Sequence, residues 1–437
     1  MQNRSLSVCC ILICTLVLLT LLIVSSPAYA GGTEALLNLL LKRGLITEQE
    51  YEELTAGSAE GIKKQKEVAV QKDGSAGTEM SGRVTLEGAI EGEYRWMKHR
   101  EVTARDSDST SDLYLRTIEL GMGVRLTDWI IATAVFNSEW IGDDVNAGDE
   151  MLTVDEAVIT LRKEDFPFYI IAGKRTQPFG LFENHLITDP MTQDGYETKR
   201  AGLTAGYAGP AGSDLSLTVY KGEEQMHHLF ESGLFDTEAV SRTDTSDDVG
   251  SFIVSVYVEP VEEALTLFAG YLSEPGAEIR NETLNLGFNF VLPFLENLRI
   301  DGEYMKAIKR ERYTGADREF KEGVLSLAVA YEFVLRKREV IGGGLFEERQ
   351  AHIVSEPLEV SLRYEYFDDD GFADSLNAWS VKNRYSAGAR YSFYNDEASG
   401  LNASLSVEYR RTGLRVDSPV DMEKDNDEIY AGMSVNF

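Results

Sequence analysis

The feature that most constrains this chain is a period of two. From Arg83 to Phe437, apolar and polar side chains alternate in segment after segment, and no later run is apolar enough for a membrane helix. Successive side chains of a strand point to opposite faces, so each segment has one greasy and one wet side. Val84, Leu86, Gly88, Ile90, Gly92, Tyr94 and Trp96 alternate with Arg83, Thr85, Glu87, Ala89, Glu91, Glu93 and Arg95. The final stretch sets Ile429, Ala431, Met433, Val435 and Phe437 against Tyr430, Gly432, Ser434 and Asn436. In a soluble sandwich the apolar face would be a core. In a transmembrane barrel it faces lipid, and the charged set lines a watery lumen.

About sixteen such segments follow one another: 83–97, 112–126, 129–141, 152–162, 166–175, 198–208, 213–222, 249–260, 264–273, 282–292, 297–310, 321–335, 356–368, 380–394, 400–412 and 426–437. Their lengths suit tilted strands crossing a bilayer. The fold class expected is therefore all-β, a transmembrane antiparallel barrel over 83–437. An even strand number puts both ends of the barrel in the periplasm. Short links such as Thr127-Asp128 and Pro260 to Glu263 then face the periplasm, and the long links 176–197 and 223–248 face outward. The link from Arg336 to Ser355 is long for the periplasmic side, and two more strands inside it would make eighteen. Tyr94, Trp96, Trp129, Trp140, Tyr304, Tyr364, Tyr366 and Tyr391 sit near segment ends, as interfacial girdles do.

The other end of the chain reads as an export signal. Arg4, an apolar run from Val8 to Val24, Pro27 and Ala28-Tyr29-Ala30 have the order of a secretory leader, with cleavage expected after Ala30. Cys9, Cys10 and Cys14 all lie within it, so disulfides and thiolate metal sites are not expected beyond it. Residues 31–55 read as a short periplasmic helical segment. Its leucine run ends at Gly44, and Thr47-Glu48-Gln49-Glu50 forms a capping box. This segment is expected either to dock on its own copies, in a homo-oligomer, or on the cell-wall layer, or to be a disordered leader. Residues 56–82 read as a flexible linker.

The chain has 42 basic and 73 acidic residues, a formal net charge of −31, which repels nucleic acid. Asp143-Asp144, Asp247-Asp248 and Asp368-Asp369-Asp370 fall in turn-like positions. His227-His228 stand beside Glu223-Glu224, a pattern found far more often as solvated surface than as a metal site. His99, His185 and His352 are scattered without a nucleophile motif, so neither catalysis nor a cofactor is expected. Inward parity groups Arg83, Glu87, Arg299, Asp301, Glu303, Arg363, Glu365, Arg384, Arg390, Glu408 and Arg410 on the lumen wall. Mixed signs with an acidic excess favour small hydrated cations.

The strongest local feature is the link after the fifth segment. A strand ends in Gly173-Lys174-Arg175, and Pro178-Phe179-Gly180 turns the chain. Glu183, Asp189-Pro190, Asp194 and Glu197 then lead back to Lys199-Arg200. Pro178, Gly180 and Pro190 impose special backbone geometry, and a structured link of this length can fold into a lumen and narrow it. Its carboxylates Glu183, Asp189, Asp194 and Glu197 are expected to face Lys174, Arg175, Lys199 and Arg200 across the passage. The alternative is an exterior loop that the prolines and glycines merely shape.

On Gly173, Pro178, Phe179, Gly180, Asp189, Pro190 and Glu197 the chain resembles the LbtU-type siderophore porins. Leu358 to Tyr364 also resembles a strand of the more distant phosphate-selective O/P-type porins. The resemblance spans 83–437 and implies a sixteen-stranded outer-membrane channel of a Gram-negative bacterium, with outer-membrane lipid, small solutes and ferric siderophore as partners. The acidic balance departs from an arginine ladder for phosphate. Plugged siderophore receptors use about 22 strands around an N-terminal plug, for which the residues before 83 are too few. Passage is accordingly expected to be passive. A phosphate or anion-selective porin and a structural barrel without transport remain open alternatives.

Overall fold

The computed structural model describes residues 78–80, 83–98, 109–143, 151–210, 212–241, 248–292, 294–316, 318–342, 350–396, 400–416 and 425–437. The expected leader, the helical segment 31–55 and most of the linker lie outside the described residues.

A short strand β1 (Thr78–Met80) precedes sixteen long ones. These are β2 (Val84–Lys98), β3 (Thr110–Thr127), β4 (Ile130–Ile141), β5 (Thr153–Arg162), β6 (Phe168–Thr176), β7 (Lys199–Ala208), β8 (Asp214–Lys221) and β9 (Val249–Val261). They continue as β10 (Leu265–Glu274), β11 (Asn281–Leu292), β12 (Leu295–Lys309), β13 (Gly323–Gly342), β14 (Gln350–Asp368), β15 (Trp379–Asp396), β16 (Leu401–Val416) and β17 (Asp425–Asn436). Each long strand pairs antiparallel with its chain neighbours. β17 closes the cylinder on β2, from Asp427↔Lys98 to Asn436↔Ala89. The result is a closed sixteen-stranded antiparallel barrel, with a long strand at every segment read from the sequence. No described helix is long and apolar enough to cross a membrane.

The alternation does what a bilayer requires. Leu120, Ile159, Leu203, Leu362, Leu405 and Met433 project outward with 48%, 50%, 48%, 60%, 50% and 51% exposure, enough to mark a continuous apolar belt. Residues of the opposite parity, such as Glu303, Arg363, Glu365 and Glu408, are buried within the cylinder. Closure pairs every strand edge, as hydrocarbon demands of backbone N–H and C=O groups. A barrel with an apolar belt outside and a polar wall inside is built for the outer membrane of a Gram-negative bacterium.

Two details differ from expectation. Among the described residues, the Arg336 to Ser355 link holds no additional strand pair. β13 and β14 instead lengthen into it, with pairing running out to Gly342↔Gln350. Residues Phe333 to Glu339 are all exposed. Below the belt neither face needs to be apolar, so the alternation fades although the ladder continues. The linker also ends sooner than residue 82: Thr78–Met80 pairs with Met80↔Val84 to Thr78↔Leu86. β17 reaches β2 only as far as the mutual Phe437–Gly88 backbone hydrogen bonds, and β1 covers the edge left beyond them.

Candidate functional site

Residues 177–198, between β6 and β7, do not extend outward. They run through the inside of the barrel. Gln177 fixes the loop's root: its side-chain amide donates to the Arg175 and Arg200 carbonyls (3.1 and 2.6 Å), and its backbone N–H donates to Thr198 O (2.7 Å). Phe179 is fully buried, and Asn285 on β11 donates to its carbonyl. Gly173 has φ +137°, and a Cβ there would lie 2.0 Å from the Ala157 carbonyl oxygen, so the close approach of β5 and β6 requires glycine. At Gly180 a Cβ would lie 2.4 Å from the Phe182 ring, which folds back over the turn.

From there the loop hangs on carboxylates of the wall. Glu303 on β12 accepts from the Leu181 and Phe182 N–H groups (2.8 and 3.4 Å). Glu408 on β16 accepts from Ile187 N–H, Thr188 N–H and Thr188 Oγ1 (2.9, 2.8 and 2.7 Å). Glu365 on β14 accepts from Met191 N–H (2.5 Å). Arg363 donates to Asn184 Oδ1, Thr188 Oγ1 and Asp189 O (3.1, 3.0 and 3.1 Å) and lies 3.2 Å from Glu365. An ionised acceptor strengthens each such bond, to about 1.5–3 kcal/mol. Burial of Arg363, Glu365 and Glu408 makes any unmatched member costly. His185 is clasped between Asp301 (2.7 Å) and Glu359 (3.3 Å). Burial disfavours its charge, but the hydrogen bonds it donates to both carboxylates outweigh that and lift the imidazole to about 9.

The loop's second half is the short helix α1 (Met191–Tyr196), begun by Pro190, whose carbonyl accepts from Gln193 and Asp194 N–H (both 2.9 Å). Met191 and Tyr196 enter an apolar cap at the long-loop end of the lumen. The cap also contains Met226 and Leu229 of α2 (Glu224–Glu231), then Leu234, Phe235, Tyr313, Phe320 and Phe372, the last from α3 (Phe372–Leu376). Strand ends supply Tyr220, Ile253, Leu272, Met305, Val324, Phe367, Val381 and Leu414. Glu274 holds α2 in place by accepting from Glu224 and Gln225 N–H at the helix's positive end (3.1 Å to each). Arg310 and Glu322 form an ion pair (2.6 Å) beneath Tyr196, whose hydroxyl donates to Glu322 (3.1 Å). Burial, reinforced by that carboxylate, pushes the Tyr196 phenol well up.

The residues singled out in the sequence are not arranged as two facing rows. Asp194 pairs with Arg384 (2.8 Å), Asp189 lies 3.7 Å from Arg116, and Glu197 accepts from Thr176 Oγ1 (2.9 Å). Glu183 is half-buried beside Leu181 and Glu303. Lys199 pairs with Asp155 (2.8 Å) and Arg200 with Glu224. Arg175 faces Arg200 across the ladder and donates to Thr204 Oγ1 (3.2 Å). Lys174 has the outward parity of Ile170 and reaches the Val154 carbonyl (2.7 Å). His227 pairs with Glu231 (3.2 Å), and no cluster of metal-ligating side chains occurs among the described residues. Sequence reasoning missed Arg116, Glu274 and the whole cap.

No family model matches the chain, and no curated protein matches it. Solved structures do. The outer membrane channel DcaP of Acinetobacter baumannii is similar at 12% identity and TM-score 0.53, covering 83% of this chain and 100% of that one. An anion-selective porin from Comamonas acidovorans is similar at 11% identity and TM-score 0.52, covering 81% and 99%. OmpF of Salmonella typhi, solved in complex with daunomycin, is similar at 14% identity and TM-score 0.53, covering 83% and 100%. At these identities the likeness is one of fold, and the fold is that of the outer-membrane porins.

Proposed function

We infer that this chain is a passive outer-membrane channel for small hydrophilic solutes, with the 177–198 loop as its constriction. One observation carries the reading: a loop of polar sequence crosses the inside of a sixteen-stranded barrel and is tied to the far wall by Glu303, Glu365 and Glu408. A segment held in that way sets the width and charge of whatever passes beside it. The loop residues Asp189, Asp194 and Glu197, with Arg175, Lys199 and Arg200 at its roots, are the specificity elements in this reading. Ferric siderophore is the narrower cargo, supported by the loop's likeness to the LbtU-type porins. The basic root residues suit a carboxylate-rich chelate.

The test is single-channel recording and liposome swelling with sugars of graded size and a carboxylate-type ferric chelate. Deleting residues 181–195 raises conductance and relaxes size selection while heat-modifiable gel migration persists. Parent conductance in a folded deletion variant would remove the loop from the passage. Swelling with sugars but not with the chelate would keep the channel and discard the siderophore.

A further inference from the structure

The wall is unevenly wetted. On β14 and β16 the charges that meet the loop are sealed: Arg363, Glu365 and Glu408 side chains are 1%, 0% and 0% exposed. On β2 and β3, Glu91 at 34% and Arg116 at 25% are open to solvent. Glu139 is exposed as well. The loop and the apolar cap therefore fill one side, and the accessible lumen runs along the other.

Arg116 stands in that open side at an unusual place in the ladder. Glu91 pairs with Thr117 and Gly92 with Leu115, so Arg116 is the extra residue of a β-bulge. Bulges re-aim a side chain and bend the strand locally. This one sends the guanidinium across to the loop, where it donates to the Ile187 carbonyl (2.5 Å) and lies 3.7 Å from Asp189. Behind it are Glu91 and Glu93, both 3.9 Å away. The loop's tethers given above end on β11, β12, β14, β15 and β16. Arg116 carries the loop tip on to β3, three strands beyond β16.

We propose that Arg116 is the pin that holds the loop tip at the edge of the open passage and sets the ion selectivity there. The proposal rests on the channel reading. As a cation among Glu91, Asp189 and Glu139, it moderates an acidic aperture. As a latch, it fixes the loop edge that passing ions meet.

The chain's three cysteines fall at positions 9, 10 and 14, so a cysteine at 116 is the sole thiol of the barrel. In planar bilayers, Arg116→Cys shows conductance raised roughly twofold and a reversal potential shifted further toward cations. Aminoethyl methanethiosulfonate, which restores a positive charge at 116, reverses the selectivity shift; its neutral methyl counterpart does not. Asp189→Asn, which leaves the guanidinium in place but loosens its hold on the loop, increases current noise. A silent wild-type protein would overturn the channel reading itself. A conducting wild type whose conductance and reversal potential match those of folded Arg116→Cys, before and after the reagent, overturns the pin. Should Arg116→Cys not fold, unchanged noise and selectivity in both Asp189→Asn and Arg116→Lys has the same force.

Discussion

The imidazole Nε2 of His185 and the carboxylate of Asp301 meet at 2.7 Å, joining a loop and a wall 116 positions apart. Glu359 holds the other ring nitrogen, and the imidazole is lifted from 6.5 to about 9. A group raised on folding contributes fully below its unfolded value and loses that contribution as pH rises through the folded one. The loop's hold therefore weakens from about pH 7 to pH 10. Open-channel noise in the wild type grows over that window. In His185→Gln it is high throughout and independent of pH. Identical noise profiles in the two proteins would remove His185 from the clasp.

Arg363 lies at the centre of the sealed side, between Glu365 at 3.2 Å and Glu408 at 4.0 Å. Removing it takes the nearest cation from two buried carboxylates, leaving Glu365 only Arg384 at 3.9 Å, at a cost of about 3–5 kcal/mol. Arg363→Ala should unfold on heated gels at a clearly lower temperature than the wild type. Arg363→Met with Glu365→Gln, which removes charge from both partners, should recover part of the loss. Equal melting of wild type and Arg363→Ala would mean that the charges are hydrated.

Selectivity follows the accessible charges rather than the full inventory. Glu91, Glu139 and Asp189 outnumber Arg116 on the open side, and the buried ion pairs of β14 to β16 contribute little outside. Reversal potentials in asymmetric potassium chloride should show cation preference, strongest at low salt where screening is weakest. Anion preference would reject this and favour the anion-porin alternative.

Phe372 is 3% exposed and packs edge-on against Phe235 and Phe320, with ring centroids 5.0 and 5.1 Å apart. Phe372→Ala should cost about 3–5 kcal/mol within the cap. Limited proteolysis should then cut residues 223–248 sooner, while the barrel keeps its gel migration. Loss of the barrel itself would show that cap and wall fold as one unit.

The strands were legible because lipid on one face and polar contents on the other enforce one simple rule along 350 residues of chain, roughly. The rule fails where its cause does. Leu272, Met305, Val324 and Phe367 are apolar on the inward parity, because the cap rather than water meets them. The bulge left a trace: Leu113 and Leu115 are two apart, but Ile118 follows after three. Parity also separates Lys174 from Arg175, since adjacent strand residues cannot share a face. The partners of Asp189 and Asp194 could not be read. They depend on the path the loop takes across the interior, and no local pattern encodes that path.

The cap and the outer belt differ in the solvent they left behind. Leu362 and Leu405 exchanged water for hydrocarbon, and they keep that environment whether or not the loops are ordered. Phe235, Tyr313 and Phe372 exchanged water for protein, so their melting carries the heat-capacity increase of an ordinary soluble core. The wall's backbone has no aqueous alternative inside a bilayer. Such a molecule should absorb heat in two steps: a cooperative, cold-sensitive step for the small core enclosed in the mouth, and a far later one for the cylinder around it.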